Sequence, residues 1–526
     1  MQPELGEREQ LKAMVDPSER NSHPESLEAS GGDRVPSRRL GRWTPGVVAG
    51  KAFQSVLALG VRQILVQGLN LAGSILLARL LSPAEFGMFA IVTFVLTFLM
   101  AFGDAGLGAS LIRESSEPKE RDYRAVFTGQ QALVVAVVAI FWVAAPWAAH
   151  AYGLPAGNAW LFRLVALSLL FTSFQVIPSI RLERHLRFDK LAIVEAGMAL
   201  VFNASAVAMA LRGYGAYSFA WALLLRSVAG AVLAYLVSPW LPRWHWEWGL
   251  VKRHLRFGIP YQGFNFVCLL KDSMNPLFIG IMLGPAQVGY INWAVMVSSA
   301  PGLALMVLRR VYLPAFSRVQ DDPESLREFV EWTIRATNAL YAPAAVLTFA
   351  LIDPITRIVF GAKWLSSIPM FYFFWVGSVF SPTSVAAIAL LNAVGRSRTP
   401  FVFVAMRTAF VWVIGAPLVL LIGSPGYAVA DCVSQALNFY LFRQAQGSVR
   451  FSILKTNVPQ WAWAAVVGVG SWTFSRRWPP TGPSGLAIQL AAAVAVYFLG
   501  LIAFYPSTVR KAWSWIRSEG WSLAFR

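Results

Sequence analysis

The chain has 526 residues, of which 56% are hydrophobic and only 14% are charged, against roughly a quarter charged in an ordinary globular protein. So few charged side chains cannot cover a water-exposed surface. The composition therefore excludes a soluble globular protein and predicts an all-α polytopic membrane protein. The net charge of +18 does not indicate a nucleic-acid partner, because the basic residues are spread over short loops between apolar segments.

Residues 1–50 are polar and poor in aromatic side chains, which predicts a disordered tail without a signal peptide. Fourteen apolar segments of about twenty residues follow, each long enough to cross a membrane as a helix. They lie near residues 52–77, 86–109, 125–147, 159–180, 191–211, 215–237, 257–281, 288–312, 331–352, 367–392, 400–422, 424–445, 458–475 and 484–505. The sequence thus predicts an N-terminal bundle (51–240), a linker (241–256), a C-terminal bundle (257–447) and two accessory helices with a C-terminal tail (448–526).

The basic residues predict the orientation of these spans. With the N-terminus in the cytoplasm, 33 of the 45 Lys and Arg fall in the tails and cytoplasmic loops, six fall in the opposite loops and six lie within spans. Positive residues accumulate in cytoplasmic loops, and shifting the topology by one span would invert the bias. We therefore expect an even number of spans and both termini in the cytoplasm.

One segment of the chain recurs about two hundred residues later. The stretches LLARLLSPAEFGMFAIV (76–92) and IGIMLGPAQVGYINWAV (279–295) place Pro83 and Gly87 opposite Pro285 and Gly289. Each Pro starts a new helix after a tight turn. Further matches keep an offset of 202 to 211 residues and the same span order. Because six spans is an even number, both copies cross in the same direction, which predicts two parallel-repeat six-helix bundles facing each other across a cleft.

Polar side chains inside apolar spans are costly unless they face a wet cleft or find partners. Span 1 carries a polar stripe at helical spacing, and its repeat partner, span 7, carries a comparable stripe that includes Gln262 and Asn265. We interpret both stripes as the lining of the central cleft. The sequence assigns substrate binding there to Arg62, Gln63, Gln67, Asn70, Lys271 and Asn275.

Other interpretations of the charged residues within spans stay open. Lys271 either lines the cleft or pairs with a carboxylate such as Asp272 or Asp104 and only holds helices together. Arg226 in span 6 either binds substrate in the cavity or takes part in structural pairing, and Arg407 in span 11 is assigned to substrate binding at the cytoplasmic mouth. Asp104 either forms a salt bridge across a cytoplasmic gate or shapes a helix end.

No cofactor is predicted. The two cysteines lie inside spans, no metal-ligand spacing occurs, and no G-x-x-x-x-G-K-S/T segment is present to bind a nucleotide phosphate. For coupling to H⁺ or Na⁺, Asp272 and Asp431 are the carboxylates placed at depth. The membrane potential is an alternative drive, because moving negative charge outward gains about 2.3 kcal/mol per charge per 100 mV.

Three segments carry a resemblance to a known family. The stretch LLARLLSPAEFGMFAIVTFVLTFLMAFGDAGLGASLIRE (76–114) resembles the first hairpin of the Wzx-like polysaccharide-transporter flippases, and FGAKWLSSIPMF (360–371) and LLNAVGRSR (390–398) resemble further segments. These flippases belong to the multidrug/oligosaccharidyl-lipid/polysaccharide exporter superfamily. The resemblance implies a V-shaped pair of six-helix bundles with two accessory helices in a bacterial inner membrane. It also implies transport of an undecaprenyl-diphosphate-linked oligosaccharide to the outer leaflet, with polysaccharide polymerase or assembly proteins as partners.

Three alternatives remain for comparison. A multidrug extruder of the same superfamily shares the architecture but favours acidic groups in its cleft, whereas the charge excess within these spans is basic. A membrane glycan polymerase or ligase presents catalytic carboxylates or His on a sizeable outside loop, and the outside loops here are short. A structural scaffold in a polysaccharide assembly complex leaves the two polar stripes without a purpose.

Overall fold

The computed structural model describes residues 66–114 and 116–504, which lie within one compact unit, Ala49–Arg526. The predicted tail (1–50), the start of the first span and the residues after 504 lie outside these ranges. Every regular element in the described ranges is helical. The first half forms α1 (Val66–Leu80), α2 (Pro83–Asp104), α3 (Leu107–Arg113), α4 (Glu120–Ala151), α5 (Ala159–Phe174), α6 (Val176–Arg184), α7 (Phe188–Leu211) and α8 (Tyr217–Val237).

The second half begins with the long helix α9 and ends with two helices that extend beyond the region of the repeat. Its elements are α9 (Trp248–Asp272), α10 (Gly280–Leu283), α11 (Pro285–Ser299), α12 (Leu305–Arg318), α13 (Pro323–Ala350), α14 (Ile352–Ile355), α15 (Ile368–Ala393), α16 (Arg398–Ile422), α17 (Pro425–Ser434), α18 (Leu437–Gln446), α19 (Ile453–Arg477) and α20 (Pro483–Phe504). Helix α19 packs along α13, where Trp461 Nε1 donates to Asn338 Oδ1 at 3.0 Å.

Eight helices of the described ranges are long and apolar enough to cross a membrane, or ten if two bent pairs each count as one span. The chain is therefore a multi-pass membrane protein with an all-helical fold. The fourteen predicted spans and the two repeat bundles stay predictions, since several predicted spans are interrupted. A 3₁₀ turn at Ala300–Ala304 separates α11 from α12, for example, and α17 ends before Gln435.

Local sequence explains how α2 begins. Ser82 is its N-cap, and the Ser82 Oγ accepts from the Glu85 backbone N–H at 3.3 Å while Glu85 Oε2 accepts from the Ser82 N–H at 2.7 Å. This reciprocal pair is a capping box, and Pro83 occupies the first turn, where its missing N–H costs nothing. The Ser-Pro-Ala-Glu motif therefore fixes the position at which the chain re-enters the apolar core.

Helices α2 and α11 cross at their starting turns, and two glycines permit the crossing. A Cβ at Gly87 would lie 1.8 Å from the Pro285 carbonyl oxygen, and a Cβ at Gly289 would lie 1.9 Å from the Pro83 carbonyl oxygen. The two contacts are reciprocal, since each joins the glycine of one repeat copy to the proline of the other, and the two glycines are 202 positions apart, as in the sequence repeat. Backbones approach this closely only where no side chain intervenes.

The path of α9 changes direction at Ser273. Residues Met274–Ile279 form a π-helical turn, and the apolar segments on either side of Ser273 meet at an angle of 41°. Pro276 lacks a backbone donor, which disrupts regular α-helical pairing in this turn. Helical irregularities of this kind concentrate at functional sites. The break places Lys271 and Asp272 at the end of a helix instead of on a continuous helical face.

Candidate functional site

A first cavity, of about 440 Å³, lies between α9 and the first half of the chain. Its walls come from α2, α4, α5, α6 and α9. Apolar side chains contribute much of the lining, but several polar groups project among them. These are Thr97, Asp104, Gln130, Thr172, Ser173, Gln262, Asn265 and Asp272.

Asp104 is held by backbone amides at the end of α2. Its carboxylate accepts from Gly106 N at 3.2 Å and from Gly108 N at 3.3 Å, which satisfies donors at the start of α3. Gln262 Nε2 on α9 donates to Asp104 Oδ2 at 3.4 Å, and Asn265 Nδ2 donates to Gln262 Oε1 at 2.7 Å. Asp104 therefore both shapes a helix junction and contacts the second half of the chain.

A second cavity, of about 460 Å³, lies within the second half, among α11, α13, α15, α16, α17 and α18. Arg407 Nη2 and Asp431 Oδ1 form an ion pair at 2.9 Å, and Arg407 Nε also donates to Ser434 Oγ at 3.2 Å. The other carboxylate oxygen of Asp431 accepts from Gln435 Nε2 at 3.2 Å. Gln435 thereby continues a polar network away from the ion pair.

That network extends to two further helices, α18 and α15. Asn438 Nδ2 donates to Gln435 Oε1 at 3.0 Å, and Ser384 Oγ on α15 donates to Asn438 Oδ1 at 2.7 Å. Because each side chain of this network has a hydrogen-bond partner within the protein, the network keeps its geometry without a ligand.

The two cavities meet at the break in α9. Asp272 lines both cavities, Lys271 lines the second, and the Lys271 ammonium forms an ion pair with the Asp272 carboxylate. Trp412 Nε1 on α16 donates to the Leu270 carbonyl at 2.9 Å, which anchors this end of α9 to the second half. A ligand at the junction would therefore meet a cation and a carboxylate that are already paired with each other.

The α2–α11 crossing closes one end of the space beside α2. On the same side, Lys363 Nζ donates to the carbonyls of Arg79 at 2.8 Å and Leu81 at 2.5 Å, and Trp364 Nε1 donates to the Ala78 carbonyl at 2.9 Å. Trp364 is fully buried and stacks on Trp293. These hydrogen bonds end on backbone atoms, so their geometry depends on helix position and not on a partner side chain.

A second contact closes the opposite end of α2. A Cβ at Gly106, whose φ is +72°, would lie 2.4 Å from the Gly258 carbonyl oxygen, so the α2–α3 junction meets α9 backbone to backbone. Arg253 Nη2 on α9 forms ion pairs with Glu114 at 3.4 Å and Asp122 at 3.6 Å. With 22 residues at 1.5 Å each, α2 separates the two closures by roughly 33 Å.

His254 lies inside this second contact. Its Nδ1 is 2.8 Å from Ser110 Oγ, the ring is only 2% exposed, and Nε2 has no partner among the described residues. Burial, with a smaller contribution from the Arg253 charge, lowers the pKa of His254 below its ordinary value, whereas Glu114 and Asp122 act in the opposite direction. The contact therefore holds the neutral imidazole.

The structure brings five of the sequence-predicted residues to the two cavities: Asp104, Lys271, Asp272, Arg407 and Asp431. Arg62 and Gln63 lie outside the described residues.

The remaining four predicted residues line neither cavity. Gln67 lies on α1, and Asn70 Oδ1 accepts from Asn203 Nδ2 on α7 at 3.0 Å. Arg226 is exposed, with its guanidinium carbon 6.0 Å from the centre of the Phe202 ring. Asn275 is buried in the π-helical turn.

Two groups of cavity residues went unnoticed in the sequence. Gln435 and Asn438 follow the predicted Asp431 at spacings of four and seven, the helical spacing of the polar stripes in spans 1 and 7. Gln130 lies directly before Gln131 on α4, and this pair of adjacent amides gives little indication of the surface that each one faces. Extending the stripe criterion to every span finds the first group but not Gln130.

Within the described ranges, no three His, Cys, Asp or Glu side chains converge to hold a metal ion. The cysteines Cys268 and Cys432 are both free thiols, and Cys268 lines the first cavity.

The sequence of this chain matches a known protein family. A family model described as "Polysaccharide biosynthesis protein" matches residues 76–369, more than half of the chain. The succinoglycan biosynthesis transport protein ExoT of Rhizobium meliloti is 25% identical over 342 residues, which cover 65% of this chain and 69% of ExoT. The lipopolysaccharide biosynthesis protein WzxC of Escherichia coli is 23% identical over 404 residues, or 72% of this chain and 78% of WzxC.

Solved structures share the fold. The lipid II flippase MurJ in an inward closed conformation superposes with a TM-score of 0.70 at 15% identity, over 86% of this chain and all of that one. An inward-facing multidrug resistance transporter of the MATE family and MOP superfamily has a TM-score of 0.55 at 14% identity, over 72% of this chain and 93% of that one. At this level of identity the likeness concerns the fold alone.

Proposed function

Since the chain belongs to the polysaccharide biosynthesis protein family, we propose that it is a flippase for a lipid-linked oligosaccharide. The substrate class is an undecaprenyl-diphosphate-linked repeat unit, moved from the cytoplasmic to the outer leaflet of a bacterial inner membrane. The observation that carries the proposal is the pair of cavities, each with polar groups in its lining, that meet at Lys271 and Asp272 between two contacts that can act as gates. The name of ExoT, a biosynthesis transport protein, and that of WzxC, a lipopolysaccharide biosynthesis protein, agree with this proposal.

The cavities suit the chemistry of such a substrate. Each glycan hydroxyl or phosphate oxygen that enters hydrocarbon without a partner costs several kcal/mol, so the head group needs a polar path while its lipid tail stays in the membrane. Lys271 and Arg407 are cations that can bind a diphosphate. Sequence position also assigns Arg62 to this task.

In the described state both cations are neutralised by carboxylates, Lys271 by Asp272 and Arg407 by Asp431. A diphosphate therefore binds by displacing a carboxylate from its cation. The ion pairs stabilise the empty protein, and the competition prevents the substrate from binding too tightly to be released. The same exchange makes Asp272 and Asp431 the natural sites at which H⁺ or Na⁺ would influence transport.

Alternating access follows from the two closures. In the proposed arrangement of fourteen spans with cytoplasmic termini, the α3–α9 contact is the cytoplasmic gate and the α2–α11 crossing is the outer gate. The two six-helix halves rock so that one gate opens while the other stays closed. Helices α19 and α20 are the accessory pair, and polymerase or assembly proteins receive the product.

The test measures the leaflet location of the lipid-linked glycan in cells with and without the protein. Cells that lack it accumulate the glycan on the cytoplasmic leaflet, and Lys271→Gln fails to clear it because the diphosphate loses its cation. Lys455→Gln, an exposed position on α19 outside both cavities, serves as the matched control and retains transport.

A carboxylate variant sharpens the test. Asp272→Asn frees Lys271 from its partner, so we expect tighter binding of the diphosphate lipid and slower release. If the glycan reaches the outer leaflet equally well without the protein, the flippase proposal is wrong, and export of cationic drugs becomes the function to measure.

A further inference from the structure

The first cavity contains a buried polar atom whose partner is missing. The Gln130 side chain is only 2% exposed and lines this cavity, yet its Oε1 has no hydrogen-bond partner among the described residues. A buried amide oxygen without a donor is destabilising, and such groups are uncommon in folded proteins. Because a carbonyl oxygen only accepts hydrogen bonds, the group that completes it must be a donor.

The two carboxylates in the lining of this cavity also favour a ligand that donates hydrogen bonds. Asp104 contributes a carboxylate that accepts hydrogen bonds, and Asp272 contributes a second one at the junction. No Lys, Arg or His occurs among the described residues that line this cavity. A phosphate or a sugar carboxylate offers acceptors and negative charge, so this lining does not favour either group. A sugar hydroxyl donates hydrogen bonds and carries no charge, so it matches this lining.

The remaining polar groups also suit a hydroxyl-rich ligand. The amide of Gln262 contacts Asp104, and the Thr172 hydroxyl lies on the wall of the cavity. Hydroxyls and amides act as both donors and acceptors, so they adapt to hydroxyl groups in several orientations. The cations Lys271 and Arg407 line the second cavity instead.

We propose that the first cavity binds the sugar residue nearest the diphosphate and accepts it only when it is uncharged. Gln130 Oε1 and the Asp104 carboxylate receive hydrogen bonds from its hydroxyls, and the diphosphate lies at the junction beside Lys271. This assignment rests on the flippase function proposed above. It makes Gln130 a substrate-binding residue and Asp104 the residue that selects against acidic sugars.

Three probes separate the two ends of the head group: a short-chain polyprenyl diphosphate without sugar, the same lipid carrying glucose, and the same lipid carrying glucuronic acid. Binding is measured on the full-length protein in lipid nanodiscs. Wild-type protein should bind the glucosyl probe about tenfold more tightly than either of the other two, as one or two additional hydrogen bonds allow.

Gln130→Met keeps the volume of the side chain and removes its acceptor. We expect glucosyl binding to weaken about three- to tenfold while binding of the sugar-free probe is unchanged. Gln489→Met is the matched control, because Gln489 is also buried with an unpartnered Oε1 but lies between α19 and α20. Asp104→Asn removes the negative charge, so the glucuronosyl probe should gain affinity relative to the glucosyl probe.

The outcomes distinguish the two proposals. If the sugar-free probe binds and depends on Lys271, but glucose adds no affinity or Gln130→Met leaves that gain intact, the sugar site is wrong and the flippase proposal stands. If none of the three probes binds, the flippase proposal itself fails. Equal affinity of wild-type protein for glucosyl and glucuronosyl probes would overturn the selection against acidic sugars.

Discussion

Replacing Gly87 with alanine tests the α2–α11 crossing directly. The added methyl carbon would lie 1.8 Å from the Pro285 carbonyl oxygen and 2.7 Å from the Gly289 backbone nitrogen. Ordinary contact begins near 3.4 Å, so the helices must separate by roughly 1.5 Å before the side chain fits. Overpacking of this kind costs about 1–3 kcal/mol. That cost applies to the closed crossing and is relieved when the two helices move apart.

The expected result is a shift towards the form that is open at this end. A difference of 1–3 kcal/mol changes the ratio of open to closed molecules about 5- to 150-fold. Cys268 in the first cavity is a native reporter of access, once Cys432 has been replaced by alanine. We expect a membrane-impermeant maleimide, added from the side of the crossing, to label Cys268 faster in Gly87→Ala than in the parent protein.

Three further variants make this prediction refutable. Gly289→Ala introduces the reciprocal clash, 1.9 Å from the Pro83 carbonyl oxygen, and should have the same effect. The free-energy cost of the closed crossing in the double variant should be smaller than the sum of the costs in the two single variants, because one separation of the helices relieves both clashes. Gly470→Ala is the control, since a Cβ there meets nothing within 4 Å. Labelling at the control rate in both single variants would show that the crossing does not close the cavity.

Three other predictions concern the second cavity and the two closures. Arg407→Gln should leave the Asp431 carboxylate without its cation and destabilise the protein by about 1–3 kcal/mol, while Asp431→Asn in the same chain restores thermal stability but not glycan transport. The pKa of His254 is held below 6.5, so the stability of the α3–α9 contact is fully present above that value and decreases as the pH falls through the pKa of the folded state. The protection factors of the α3 amides, which are exchange rates corrected for the intrinsic rate at each pH, should fall on acidification, and His254→Gln should abolish that fall. Trp364→Phe removes the hydrogen bond to the Ala78 carbonyl and should cost about 1–3 kcal/mol, measured as a lower unfolding temperature with faster labelling of Cys268.

How much of the site could be predicted depends on whether its residues follow one helix. Lys271 and Asp272 were found because charges within an apolar segment are conspicuous in any sequence. The ion pair of Arg407 with Asp431 could not be predicted with equal ease, because the two residues lie on different helices and meet only through packing. Asn70 illustrates the opposite case. It belongs to a polar stripe that looks like a cleft lining, yet in the folded chain it hydrogen-bonds Asn203 on α7.

The sequence by itself determined that this is a helical membrane protein, because composition, span length and the repeated Pro-Ala segments are properties of consecutive residues. The link to polysaccharide transport came from the resemblance of three segments to the Wzx-like flippases and not from these properties. It also located the repeat whose glycines, Gly87 and Gly289, form the crossing. Only the tertiary structure decided that those glycines face each other, that α9 breaks at Ser273, and that Gln130 faces a cavity. The physical reason is that helical periodicity gives the relative orientation of side chains on one helix, whereas the neighbour of each face depends on how separate helices pack.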